Sequence, residues 1–172
     1  MRGVDENRMA ALEVLNFLFE NPELTMSVRP SALESGLQTR ILTVPDGLVL
    51  SVSFQGPPEE ARSFELAINT YEARLKGVIL EREVLENVAK RIARRRDVAT
   101  ATNSGLAHWL GPRLRFRLPF TGPHANDLWR ASISRVTAPD VQAMARELFT
   151  PENTIQVEIS PPAPAAKPVS RR

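Results

Sequence analysis

Residues 136–161 read VTAPDVQAMARELFTPENTIQVEISP, a helix followed by a strand, and the rest of the chain takes its frame from them. Thr137 is placed to cap a helix with its hydroxyl. Pro139 suits the first turn, where its missing N–H would have no partner, and Asp140 lies three residues past the cap near the positive end of the helix dipole. Val141, Met144, Ala145 and Leu148 recur at helical spacing, until Pro151 pushes the residue before it out of the α region. Beyond the proline, Ile155, Val157 and Ile159 alternate with Gln156, Glu158 and Ser160. That period of two predicts a half-buried strand, and Pro161 stops it.

Upstream of this stretch, residues 127–136 are expected to form the helix that leads in. Residues 113–120, RLRFRLPF, alternate arginine with Leu114, Phe116 and Leu118, which reads as an extended segment. A short helix with Leu106, Trp109 and Leu110 precedes it and is expected to end near Gly111-Pro112. A long helix is predicted over residues 81–101, burying Val84, Leu85, Val88, Ile92 and Ala99, with Lys90, Arg91, Arg94, Arg95 and Arg96 on its polar side. Another begins after Gly56-Pro57-Pro58, with Ala61, Phe64, Ile68, Tyr71 and Leu75 inward, and Gly77 punctuates it.

Further toward the N-terminus the period drops to two. Residues 37–44 and 48–55 flank Pro45-Asp46-Gly47, a turn signal, and Leu48, Leu50, Val52 and Phe54 share one face, so a β-hairpin is predicted. Residues 31–35 are read as a short helix closed by Gly36. Residues 5–20 are read as a helix ended by Asn21-Pro22, its apolar stripe of Met9, Leu12, Leu15 and Phe19 widened by Ala11, Val14 and Leu18 until it must be largely buried. Residues 162–172 are too rich in Pro and Ala to be forced into a fold and read as a disordered tail. Helices segregated from an antiparallel sheet make a two-layer α+β domain over residues 1–161.

Composition sets outer bounds. With 172 residues, 42% of them hydrophobic, the chain can bury a core. Its 22 Lys and Arg against 20 Asp and Glu give a net charge of +2, which exerts no strong pull toward nucleic acid or an anionic membrane. The absence of cysteine removes disulfides, thiolate nucleophiles and cysteine-bound metals. No apolar run approaches the roughly 20 residues that span a bilayer, and the N-terminus lacks the charged start and apolar core of a signal peptide. The compartment stays open between a bacterial periplasm and a cytoplasm.

The closing motif, with Val136-Thr137, Asp140-Val141-Gln142, Ala145-Arg146 and Thr150-Pro151-Glu152-Asn153, resembles the last segment of domains in the pitrilysin/insulinase family of zinc metallopeptidases. The likeness extends upstream. Residues 5–19 are similar to the family's Asp-x-x-Ala-Leu-x-Val-Leu opening helix, residues 33–37 to its Leu-x-x-Gly-Leu, and residues 77–85 to its Gly-x-Thr-x-x-Glu-Leu helix start. Two departures mark a divergent member. Gly36-Leu37-Gln38-Thr39 stands where Gly-Leu-Ala-Tyr is usual, and Ser27-Val28-Arg29-Pro30 where Ser-Arg-Leu-Tyr is common. The resemblance implies a half-domain of the processing-peptidase type whose first strand is missing. It further implies the non-catalytic half of such a peptidase, one that encloses and positions unfolded peptide for a zinc-bearing partner half. Zinc would then belong to the partner and no cofactor to this chain. The implied partners are that catalytic half, the peptide substrate and a second copy in a homo-dimer, with no nucleic acid and no membrane span.

Residue chemistry agrees with a non-catalytic role. Active members of the family bind zinc through an inverted His-x-x-Glu-His motif, in which two histidines one helical turn apart face one ion. Here the only histidines, His108 and His124, are sixteen positions apart and read as packed or surface residues. No Gly-x-Ser-x-Gly elbow or glycine-rich phosphate loop occurs, and the acid pairs Glu59-Glu60 and Glu81/Glu83 sit at helix starts, where the dipole explains them. No catalytic residue is assigned. The basic run 90–96 reads as a solvated helix face or, with stacking aromatics, a nucleic-acid patch. Arg113, Arg115 and Arg117, if extended, project three guanidinium groups from one side; they either line a substrate chamber or guard an exposed edge with charge. Two other functions stay open: a purely structural assembly subunit of the same fold, and a small basic binding domain.

Overall fold

The computed structural model describes residues 5–25, 37–44, 47–77, 80–115, 117 and 124–159. They form six helices and one hairpin: α1 (Glu6–Glu20), β1 (Gln38–Val44), β2 (Gly47–Ser53), α2 (Pro58–Leu75), α3 (Arg82–Ala99), α4 (Asn103–Arg115), α5 (Ala125–Arg135) and α6 (Ala138–Leu148). The architecture is therefore mostly helical with a small antiparallel sheet, the coarse α+β class read from the sequence. The helix expected over residues 31–35, the Pro45-Asp46 turn and the 162–172 tail lie outside the described residues.

α1 is the axis of the molecule. Asp5 caps it, accepting a hydrogen bond from the Arg8 N–H at 2.8 Å. Asn21 closes its other end, with the side-chain amide donating to the Phe17 carbonyl at 2.8 Å. Nine of its residues, from Met9 to Phe19, are buried, because α3, α5, α6 and β1 all pack against it. Such enclosure is why its apolar stripe is wider than a surface helix needs. Phe19 sits edge-on to Tyr71 of α2 at 5.0 Å and tilts against Phe149 beyond α6 at 5.3 Å. The Tyr71 hydroxyl donates to the Leu18 carbonyl at 2.7 Å and accepts from Thr25 at 3.0 Å, so the buried phenol is satisfied.

The hairpin follows the predicted period. Thr39 pairs with Val52 and Ile41 with Leu50 on the face toward α1, and Leu48 is buried on that face. Phe54 leaves the sheet and stacks on Phe64 at 4.5 Å. Leu42 and Val49, directly opposite each other on the outer face, are exposed.

At the closing motif, the Thr137 N–H donates to the Asp140 carboxylate at 2.8 Å and the Thr137 hydroxyl to the same oxygen at 2.6 Å, which fixes the α6 start. A single tight turn, Pro151–Asn153, follows, and Thr154 leaves it with extended backbone.

Four expectations are corrected. The segment expected as a strand over residues 155–159 joins no sheet among the described residues, and Ile155, Val157 and Ile159 stand 90%, 74% and 91% exposed. The reason is that alternation specifies the two faces of a segment and leaves its neighbour unspecified. α4 does not stop at Gly111-Pro112 but continues to Arg115. A proline inside a helix removes one hydrogen bond, and here inward anchoring of Trp109 and Arg113 on one side of α4 offsets that loss. Residues 113–115 are consequently helical, not extended. Ala99 is exposed at the α3 end, and the buried position one turn earlier is Arg96.

Candidate functional site

Of the three arginines expected to share one side, Arg113 and Arg115 both fall on α4, where positions two apart diverge by ~200° around the axis. They cannot form a row. Arg113 turns inward: Nη2 donates to Glu13 Oε1 of α1 at 3.0 Å, Nη1 donates to the Trp109 carbonyl at 3.1 Å, and the side chain is 15% exposed. Arg117 is exposed just past the helix and has a left-handed backbone, φ 52°. Its N–H donates to the Leu114 carbonyl, so it occupies the position where glycine commonly ends a helix.

Arg113 belongs instead to a buried cluster drawn from four helices. Glu13 accepts from Arg113, from Arg96 Nη2 of α3 at 3.2 and 3.3 Å, and from the Trp129 indole of α5 at 2.8 Å. Four side chains stack in alternation. The Arg96 guanidinium carbon lies 3.4 Å from the Trp129 ring centre and 4.2 Å from that of Trp109, and Arg113 covers Trp109 at 4.5 Å. Guanidinium planes suit this because they are weakly hydrated and meet an indole face through charge and dispersion together.

The electrostatics show the cost of this arrangement. Burial pushes the Arg96 guanidinium down to about 10, partly countered by Glu13 and reinforced by the positive charges of Arg113 and Arg130. Burial lowers Arg113 as well, again countered by Glu13. Two cations share one carboxylate, and Arg96 Nη1, Arg113 Nε and the Trp109 indole N–H meet no acceptor among the described residues. The cluster therefore works as a bracket among α1, α3, α4 and α5. Its carboxylate is held by three donors, one from each of α3, α4 and α5.

The histidines are elsewhere, His108 exposed on α4 and His124 exposed at the start of α5. Among the described residues no three His, Cys, Asp or Glu side chains gather as a metal ion would require. No described helix is long and apolar enough to cross a membrane. A groove of about 450 Å³ opens where α1, β1 and α3 meet, lined by Phe17, Glu20, Thr39, Arg40 and Arg95. Within it the Thr39 hydroxyl is buried without a hydrogen-bond partner among the described residues. Arg95 at its rim pairs with Glu20.

Sequence reasoning placed Arg96 on a solvated face with Lys90, Arg91, Arg94 and Arg95, and those four are indeed exposed. The signal it missed is spacing: Leu85, Ala89, Ile92 and Arg96 fall on one helical stripe, so the fifth basic residue continues the apolar side. Glu13 carried the same kind of signal, as a single acid inside a run that is otherwise buried.

Protein-family models, curated proteins and solved structures were each compared with the chain, and none matches it.

Proposed function

We propose that this chain is the non-catalytic half of a pitrilysin/insulinase-type zinc metallopeptidase. It acts as a wall that encloses and orients an unfolded peptide while a zinc-bearing partner half hydrolyses it. The observation that carries the reading is the geometry of the closing motif. Thr137 and Asp140 cap α6, the Pro151–Asn153 turn follows, and Thr154 departs extended, in the order that the family resemblance implies. A mostly helical body with one antiparallel hairpin packed on its central helix α1 is compatible with that architecture. The contribution to catalysis is positional: a half-chamber raises the effective concentration of peptide at the partner's metal and excludes folded substrates. Arg117, exposed at the end of α4, keeps its candidacy as a chamber residue, whereas Arg113 is occupied by Glu13.

A second reading, a structural assembly subunit of the same fold, is favoured by the row of exposed apolar side chains at Ile155, Val157 and Ile159. Affinity capture of the tagged chain from its source, followed by peptide sequencing and zinc analysis, separates the two. The peptidase reading requires a stoichiometric partner that holds zinc and carries His-x-x-Glu-His. Recovery of the chain only with itself or with metal-free proteins favours the assembly subunit.

A further inference from the structure

We propose that the buried cluster of Arg96, Arg113, Trp109 and Trp129 binds one small monovalent anion, held by the two guanidinium groups and the indole N–H of Trp109. The inference stands apart from the peptidase reading, since it uses only the chemistry of the bracket among α1, α3, α4 and α5.

Charge is the first observation. Glu13 is the carboxylate that the two guanidinium groups share: its Oε1 accepts from Arg96 Nη2 at 3.2 Å and from Arg113 Nη2 at 3.0 Å. One positive charge is left over, at a place where Arg96 is 8% and Arg113 15% exposed. The neighbouring charges cancel, because Arg130, whose field reaches Arg96, is paired with Asp97. Residues 116–124, which join α4 to α5, contain Arg117 and no acid, so they add no counter-charge. A buried cation without a full partner is costly, and a bound anion removes that cost.

The donors are the second observation. Arg96 Nη1, Arg113 Nε and the Trp109 indole N–H are buried and meet no acceptor among the described residues. They belong to groups in mutual contact, for both guanidinium carbons lie over the Trp109 ring, at 4.2 and 4.5 Å from its centre. Buried polar groups ordinarily find a partner, and an ion is one kind that satisfies them. Guanidinium and indole N–H groups can only donate, so the partner has to be an acceptor, and an anion accepts from guanidinium through charge-assisted bonds.

The surplus is a single charge, so a monovalent anion neutralises the cluster and a dianion would overshoot. Indole rings wall the site, which favours an ion that sheds water readily, such as chloride or a carboxylate, over strongly hydrated sulfate.

Both tryptophans of the chain lie in this cluster, so indole fluorescence reports on it alone. The probes are sodium chloride, acetate and sulfate at matched ionic strength, with unfolding followed by scanning calorimetry. Sulfate stabilises proteins in general through exclusion from their surface, so a lead by chloride or acetate reads binding at a site. The larger of the two responses says whether the site takes a halide or a carboxylate. The expected result is an unfolding midpoint that climbs about 3–5 °C for each tenfold rise of the favoured anion above its Kd. Bromide, a heavy-atom quencher, should quench the fluorescence saturably, and the favoured anion should relieve that quenching. Arg113→Gln removes the surplus charge and leaves Glu13 with Arg96 and Trp129, while Trp109→Phe keeps a ring and removes the unpartnered N–H. Each should lose the lead over sulfate. The proposal is overturned if neither chloride nor acetate outperforms sulfate on the parent protein, or if bromide quenching is linear and indifferent to both anions. A folded Arg113→Gln variant that keeps the full lead overturns it as well. The parent measurements decide the matter even where a variant fails to fold.

Discussion

Glu13 serves two guanidinium groups and an indole from the middle of α1, and its removal would strand both cations in a low-dielectric site. Glu13→Ala should therefore cost about 3–5 kcal/mol of unfolding free energy, read from urea titrations. Tyr71 carries a different liability. Burial raises its phenol far above the ordinary value near 10, so the native state keeps the proton that the unfolded chain gives up. With the folded value raised, stability is fully present below about pH 10 and is lost as pH rises beyond it. Arg96 runs the opposite way. Its value is lowered to about 10, so its burial cost is complete below that pH and eases as pH rises from there toward the ordinary guanidinium range. Tyr71→Phe should thus lose about 0.5–1.5 kcal/mol at pH 7, the worth of one buried hydrogen bond to the Leu18 carbonyl, which keeps the Asn21 N–H, yet decline less than the parent between pH 10 and 11 in denaturant titrations. Neither Glu13 nor Arg96 was assigned a role from sequence, because charge was taken as a marker of exposure. Their position on apolar stripes was the better guide.

At the scale of elements, most helix boundaries were legible from caps and spacing, and the hairpin from its turn and alternation. α4 was not. Its arginine and leucine alternate over residues 113–118 as a strand would, while Trp109 and Arg113, four apart, form the helical face that packs. Which periodicity prevailed depended on Glu13, a hundred residues away. Two substitutions test how α4 is seated. A β-carbon on Gly105 would lie 1.9 Å from the Ala99 carbonyl, so Gly105→Ala should shift the start of the helix and cost about 1–3 kcal/mol in thermal or chemical unfolding. Arg117→Gly relieves the left-handed backbone at the other end and should gain up to about 1 kcal/mol. At α6, Asp140→Ala removes the partner of both Thr137 donors and should cost about 1 kcal/mol.

For the whole molecule, the sequence indicated helices with an antiparallel sheet, and the structure has that coarse class, six helices and one hairpin with α1 at the centre. The alternation over residues 155–159 was legible, but the strand expected from it joins no sheet among the described residues, since alternation specifies a strand's faces and leaves its neighbour unspecified. The buried bracket of Glu13, Arg96, Arg113 and the two tryptophans ties α1, α3, α4 and α5 into one body, and the role proposed for that body is a wall beside a zinc-bearing half. The most direct measurement of that role is hydrolysis of an unfolded fluorogenic peptide in the presence of zinc, with this chain alone, the inverted-motif zinc protein alone, and the two mixed. A non-catalytic half predicts no turnover from this chain and a rate in the mixture well above that of the zinc protein by itself. Chelator-sensitive turnover by this chain alone, or a mixture no faster than the zinc protein, would contradict it.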